Sequence, residues 1–257
     1  MKISVVMVCR NSSATIGRAL ESFFVQDHLD KELIVVDGAS TDRTLDVIAS
    51  FPAEGVTVIS EPDAGMYDAM NKGLAAFDGE AVGFLNSDDC YRDNGVLSDI
   101  VKALADHDAV HGNVDFVSSA RDQRVVRRWR GSPYRYGAFK TGWMPPHPTF
   151  YIRRSVVETV GRFDLRFAIA ADYDFMLRAL EVHGFRSAYV DRVFVEMCLG
   201  GASTASVRAV LQGNLESLRA RRKWLNAGLI DRALIAKPLQ KMTQLFPGRS
   251  GGGERAR

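Results

Sequence analysis

The sequence predicts an α/β protein: a mostly parallel central sheet with helices on both faces. Short β-branched runs alternate with stretches of helical spacing, each change of pattern falls on turn or cap residues, and the run Ala81–Leu85 reads as a buried strand that ends on carboxylates. Ile3–Cys9 is the first strand, and a helix from about Ser13 follows, with Ile16, Leu20, Phe23 and Phe24 on its apolar face. Leu33–Val36 is the second, closing on Asp37-Gly38-Ala39-Ser40-Thr41-Asp42, where Thr41 is placed to cap a helix through Ala49. Val56–Ser60 is the third. Asp63 then caps a helix over about Gly65–Phe77, whose spacing puts Tyr67 and Asn71 on one face and pairs Asp68 with Lys72. Ala81–Leu85 is the fourth strand, and Val193–Met197 is a late one.

A chain of 257 residues, 46% hydrophobic and 25% charged, is long enough for one substantial core and a small appendage. No internal repeat occurs, and no apolar run is long enough to span a bilayer. The first residues lack the pattern of a signal peptide, so a cytoplasmic location is expected. Cys9, Cys90 and Cys198 have neither a disulfide framework nor zinc spacing and read as reduced thiols. The net charge of +2 conceals a split, because residues 205–257 hold 11 Lys and Arg against 3 acids. A second cluster, Arg121 to Lys140 with Trp129, Tyr134 and Tyr136 interleaved, lies in a Gly- and Pro-containing stretch with no nucleic-acid module around it. It reads as a solvated loop or one side of an anionic small-molecule site.

Right-handed crossovers bring the loops after parallel strands to one edge of the sheet, where open α/β sheets bind ligands. Asn11, Asp37, Asp63 and Asp88 come to that edge from four loops. Asn86-Ser87-Asp88-Asp89 offers hard oxygen ligands of the kind that hold Mg²⁺ or Mn²⁺ on a nucleotide diphosphate. A turn or helix cap is the bland reading of the same residues.

Four ordered motifs, Ser4–Asn11, Val36–Asp42, Asp63–Gly73 and Leu85–Asp89, resemble the family 2 glycosyltransferases of the GT-A fold, particularly bacterial enzymes of cell-envelope polysaccharides and glycolipids. The likeness runs from residue 3 to about 204. It implies sugar transfer from a nucleotide-diphosphate sugar to a hydroxyl of a glycan or lipid-linked acceptor, with inversion. It also implies donor binding by Asn11, Asp37, Asp63, Asn71, Lys72, Asn86 and His147, and a divalent metal at Asp88 and Asp89. Asn86 departs from the family, which has Asp there.

In the second half, Gly142–Tyr151 combines aromatics with His147 among prolines, suiting a rigid pocket wall. Asp172 opens a helix, where backbone amides favour a carboxylate. The resemblance makes it the general base, although Ala171 stands where the family has Glu; Asp174 is the competing carboxylate. Leu199–Thr204 offers glycines and hydroxyls to close over the diphosphate. Beyond it, Val207, Val210, Leu211, Leu215, Leu218 and Leu225 follow helical spacing, with Arg208, Arg219, Arg222 and Lys223 opposite. Packing on the catalytic domain is the default for this stripe, and peripheral contact with anionic lipid the alternative. The expected division is a catalytic domain over 1–204, a basic helical extension over 205–247 and a tail over 248–257. A sugar nucleotidyltransferase is the rival enzyme class, but Cys9-Arg10-Asn11-Ser12-Ser13 is not its Gly-rich phosphate loop. A non-catalytic nucleotide-sugar-binding module is the other alternative.

Overall fold

The computed structural model describes residues 1–118, 124–198 and 207–226. The expected closing loop at 199–204, the stretch around 229–246 and the tail lie outside the described residues. In chain order the elements are β1 (Ile3–Cys9), α1 (Ile16–Phe24), β2 (Lys31–Asp37), α2 (Thr44–Ala49), β3 (Val56–Ser60), α3 (Met66–Ala76), β4 (Ala81–Phe84), β5 (Cys90–Tyr91) and α4 (Val96–Leu104). There follow β6 (Ala109–Val117), β7 (Val125–Trp129), β8 (Tyr151–Arg153), α5 (Arg154–Val160), α6 (Ala171–Leu177), β9 (Ser187–Cys198) and α7 (Val207–Leu225).

The strands form one sheet in the order β3-β2-β1-β4-β8-β6-β9-β5, with β7 on β6. The first four are parallel, as the alternation predicts. The three-residue β8 then enters antiparallel to both β4 and β6, which restores β6 to the direction of β4. β9 runs parallel to β6, while β5 and β7 are antiparallel ribbons. Successive side chains of a strand point to opposite faces, so β1 feeds two cores. Val6 and Val8 pack with α3, α5, α6 and Trp224 of α7. Val5, Met7 and Cys9 pack with α1, α2 and α4. Two glycines permit close approach: a Cβ on Gly73 would run into Val6, and one on Gly83 into the ring of Tyr151.

Some local expectations change. Thr41 does not cap α2; its amide donates to Asn11 Oδ1 at 2.9 Å, and Asp42 receives the Thr44 amide at 3.0 Å. Lys72 pairs with Glu61 rather than Asp68. Part of the basic segment is strand rather than loop, with the Arg127 guanidinium 3.6 Å over Phe116 and Arg128 beside Asp115. The largest surprise is α7, which turns Glu216, Ser217, Ala220 and Arg221 inward while Leu211 and Leu215 remain 59% and 65% exposed. Its packed face mixes these residues with Trp224 and Leu225, while the amino-terminal part of the leucine stripe faces outward.

Candidate functional site

The carboxyl ends of β1, β2 and β3 form one side of the rim. Asp37, the last residue of β2, is completely buried; Ser40 and Ser60 donate hydroxyl hydrogen bonds to it, Ser40 also gives its amide at 3.0 Å, and Cys9 adds its thiol. Burial alone would raise the Asp37 pKa, but these donors outweigh it and hold the carboxyl below its ordinary value. These four bonds fix the loop that follows β2 around the Asp37 carboxylate. Asn11 adopts a positive φ of 51° and ties the loop after β1 to the loop after β2, giving its amide to Ser40 Oγ at 2.7 Å. Asp63 receives the Gly65 amide at 2.9 Å. Its other oxygen lies so close to Gly38 that any Cβ there would strike it, and Arg10 borders the same spot.

Two further expected donor-binding residues, Asn71 and Lys72, are engaged by the protein itself. Asn71 is buried and clamps the main chain of Phe163, donating to its carbonyl at 3.0 Å and accepting its amide at 2.9 Å. It fastens α3 to the loop before α6. The Lys72 ammonium donates to the Pro62 carbonyl at 2.7 Å and pairs with Glu61 at 2.8 Å, bracing the chain after β3.

After β4 the chain turns sharply, with the Asp89 amide on the Asn86 carbonyl at 3.1 Å. Asp89 points inward and is 1% exposed, and Asn86 Nδ2 donates to it at 2.9 Å. Burial, reinforced by the charge of Asp88, pushes the Asp89 carboxyl well above its usual range. Asp88 is half-exposed. Asn86 Oδ1 is buried without a hydrogen-bond donor, and Ser87 Oγ reaches Ser12 Oγ at 2.9 Å, joining this turn to the loop after β1. Among the described residues no group of three His, Cys, Asp or Glu gathers into an all-protein metal cage. An available Asp88 carboxylate and an unsatisfied Asn86 oxygen fit a different pattern, a small hard cation that takes one or two protein oxygens and completes its shell with water and phosphate.

A stack of rings connects this turn to α6. His147 lies against Phe84, the last residue of β4, with centroids 5.3 Å apart, and Phe163 meets both rings edge-on. Burial lowers the His147 pKa below its ordinary value, opposed by the negative charge of Asp172. The half-exposed Asp172 receives its neighbour's amide, Tyr173 N, at 2.7 Å and lies 3.1 Å from the Tyr67 hydroxyl. Asp174, by contrast, is fully buried, paired with Arg178 at 2.8 Å and receiving Trp224 Nε1 at 2.8 Å. Of the two candidate bases, only Asp172 retains access to solvent.

Comparison with known proteins assigns the family and the fold. The family model described as Glycosyl transferase family 2 matches residues 4–161. This chain belongs to that family. A Mycobacterium bovis protein named PGL/p-HBAD biosynthesis glycosyltransferase is 31% identical over 182 residues, covering 68% of each chain. An uncharacterized glycosyltransferase of Mycobacterium tuberculosis is 33% identical over 181 residues, covering 69% of this chain and 68% of the relative. Among solved structures, S. aureus TarS in complex with UDP-GlcNAc superposes with a TM-score of 0.67 at 20% identity, covering 95% of this chain and 72% of that one. The mannosyltransferase PcManGT of Pyrobaculum calidifontis, in complex with GDP-Man and Mn²⁺, gives 0.64 at 22%, covering 92% and 68%. At such identities the structural likeness establishes the GT-A fold.

The residue the sequence reading passed over in this family 2 transferase is Tyr67. Its position four residues before Asn71 marked it as facing the same way, but nothing local revealed the contact with Asp172, 105 positions later. Burial and then the Asp172 charge push the Tyr67 phenol well above its usual pKa, which keeps it a proton donor.

Proposed function

We propose that this protein is an inverting glycosyltransferase that moves a sugar from a nucleotide-diphosphate sugar to a hydroxyl of a glycan or lipid-linked acceptor in bacterial envelope synthesis. Its catalytic body includes residues 207–226 together with the residues before 199. The observation that carries the reading is the solvent-accessible Asp172 on α6, a helix joined through Phe175, Phe163 and Phe84 to the Asn86–Asp89 turn. In the transfer step, Asp172 takes the acceptor hydroxyl proton, the freed oxygen bonds to the anomeric carbon, and the bond to the nucleotide-diphosphate oxygen breaks. The ring of His147 and the flanking prolines form a fixed wall, and Asn11 and Asp63 face the nucleotide.

In this reading the Asp88–Asp89 turn would hold a divalent cation, with the partly exposed Asp88 as the direct ligand and the buried Asp89 supporting the turn from inside. A cation bound there would neutralise charge on the departing diphosphate. The Mn²⁺ in the PcManGT complex and the UDP-GlcNAc in the TarS complex support this choice of metal and donor class. The name of the mycobacterial relative supports a glycolipid acceptor. Membership of a glycosyltransferase family sets aside the nucleotidyltransferase alternative.

The test is a panel of nucleotide sugars, with metal-dependent nucleotide release and binding both measured. Asp172→Asn is expected to retain nucleotide affinity while the transfer rate falls roughly 10² to 10⁴-fold, the scale of general-base catalysis. Near-normal transfer by that variant would remove Asp172 from the role.

A further inference from the structure

Helix α7 reaches the segment that carries the base through a buried carboxylate. Glu216, 8% exposed, accepts three successive backbone amides: Ala168 N on Oε1 at 3.2 Å, and Ile169 N and Ala170 N on Oε2 at 2.8 and 2.9 Å. Gln212, one helical turn earlier, donates to Oε1 at 2.9 Å. Burial would raise the Glu216 pKa, but these donors more than offset it and keep the carboxyl below its ordinary range. The amides so gathered are the three immediately before α6, whose second residue is Asp172. Two further bonds repeat the attachment: Arg221 Nη1 donates to Tyr173 Oη at 3.0 Å, and Trp224 Nε1 to Asp174.

The same segment governs Tyr67. Its hydroxyl carries one proton and stands between two acceptors, the Ile169 carbonyl at 2.7 Å and Asp172 Oδ1 at 3.1 Å. With Ile169 held by Glu216, the shorter bond goes to the carbonyl, and Asp172 keeps an oxygen free to accept a proton from substrate. If the 168–170 backbone relaxes, the phenol turns to Asp172, competes with the acceptor hydroxyl and pulls the carboxylate from its place.

We infer that Glu216 is a positioning residue for sugar transfer, acting through Ile169 and Tyr67 on Asp172, so that α7 is part of the catalytic apparatus and not only a cover for the core. This rests on Asp172 as the base. Displacement of a reacting group by about 1 Å from a remote substitution costs on the order of 10²-fold in rate.

The experiment is a double-mutant cycle on the full chain. Glu216→Gln is expected to lower kcat roughly 10- to 100-fold with the donor KM unchanged. In an Asp172→Asn background the same substitution is expected to cost nothing further, because the group it positions is already disabled. Tyr67→Phe should likewise remove most of the Glu216→Gln effect. A carboxylate that merely secures the helix would lower activity by the same factor in all backgrounds, in step with the fraction folded, and that result would overturn the inference. Unchanged kcat in folded Glu216→Gln would do so as well. Should Glu216→Gln fail to fold, Glu216→Asp and Gln212→Ala enter the same cycle, with the same two outcomes deciding. Normal transfer by Asp172→Asn alone would refute the base assignment instead, which separates the two failures.

Discussion

At the scale of single residues, the two aspartates after β4 have been given opposite environments. Asp88 is reachable and Asp89 is enclosed, so removing their charges should have different consequences. Asp88→Asn is expected to weaken metal-dependent nucleotide binding and greatly reduce turnover without lowering the melting temperature, since a rim carboxylate contributes charge rather than packing. Full activity of that variant, or of the wild type in chelator, would exclude the cation site. The pair in α6 differs in the same way. Asp174→Asn leaves the Arg178 guanidinium buried without its ion-pair partner, so a loss of about 3 to 5 kcal/mol in unfolding free energy is expected, measured by denaturant titration. Asp172→Asn should be close to neutral in that measurement and severe in the transfer assay. Which of the two α6 carboxylates is buried was not legible in the sequence, because the ion pair with Arg178 and the bond from Trp224 decide it. Motif order located Asp37 and Asn71 near the site, but their side chains are held by Ser40, Ser60 and Phe163, partners that no local spacing reveals.

Elements were legible where hydrogen bonding and burial repeat locally. The parallel strands β1 to β4 and the helices between them follow from apolar runs and turn residues, with boundaries close to those observed. β8 was not, because three residues after His147-Pro148-Thr149 carry no period, and their place is fixed by ring packing against β4. That packing is testable. Gly83 lies in the middle of β4 and Tyr151 crosses it, with the Tyr151 hydroxyl bonded to that of Tyr91. A methyl group at Gly83 must displace the ring, and overpacking of this kind typically costs about 1 to 3 kcal/mol. Gly83→Ala should therefore reduce the unfolding free energy by that amount. A Gly83→Ala/Tyr151→Phe double variant should recover little, because the phenyl ring still occupies the space; Tyr151→Leu should recover more. Equal stability of Gly83→Ala and wild type would show that β8 does not lie across β4 in this way.

For the whole molecule, the division of charge acquires a geometry. Residues 205–257 carry a net +8, while the remainder of the chain is acidic. The apolar stripe of α7 was expected by default to pack inward, and Leu225 does so beside Trp224, but Leu211 and Leu215 stand in solvent beside the exposed Arg208, Arg219 and Arg222. An outward pair of leucines among arginines suits an anionic lipid surface, where a lipid-linked acceptor would be met. Each arginine near such a surface contributes about 1 kcal/mol, and each leucine fully transferred from water adds roughly 1.5 to 3. No described helix is long and apolar enough to cross a membrane. Deleting α7 would remove Trp224 from the core and Glu216 from the base segment, so the informative variant is full-length Leu211→Ser/Leu215→Ser, which alters only the outer face. Sedimentation with liposomes rich in anionic lipid is expected to capture the wild type at low salt and release it at high salt, with capture reduced at least tenfold in the double variant while soluble-acceptor turnover is retained. Equal binding to neutral and anionic liposomes, or equal capture of the two proteins, would assign the leucines no role at a membrane and leave the role proposed for Asp172 untouched.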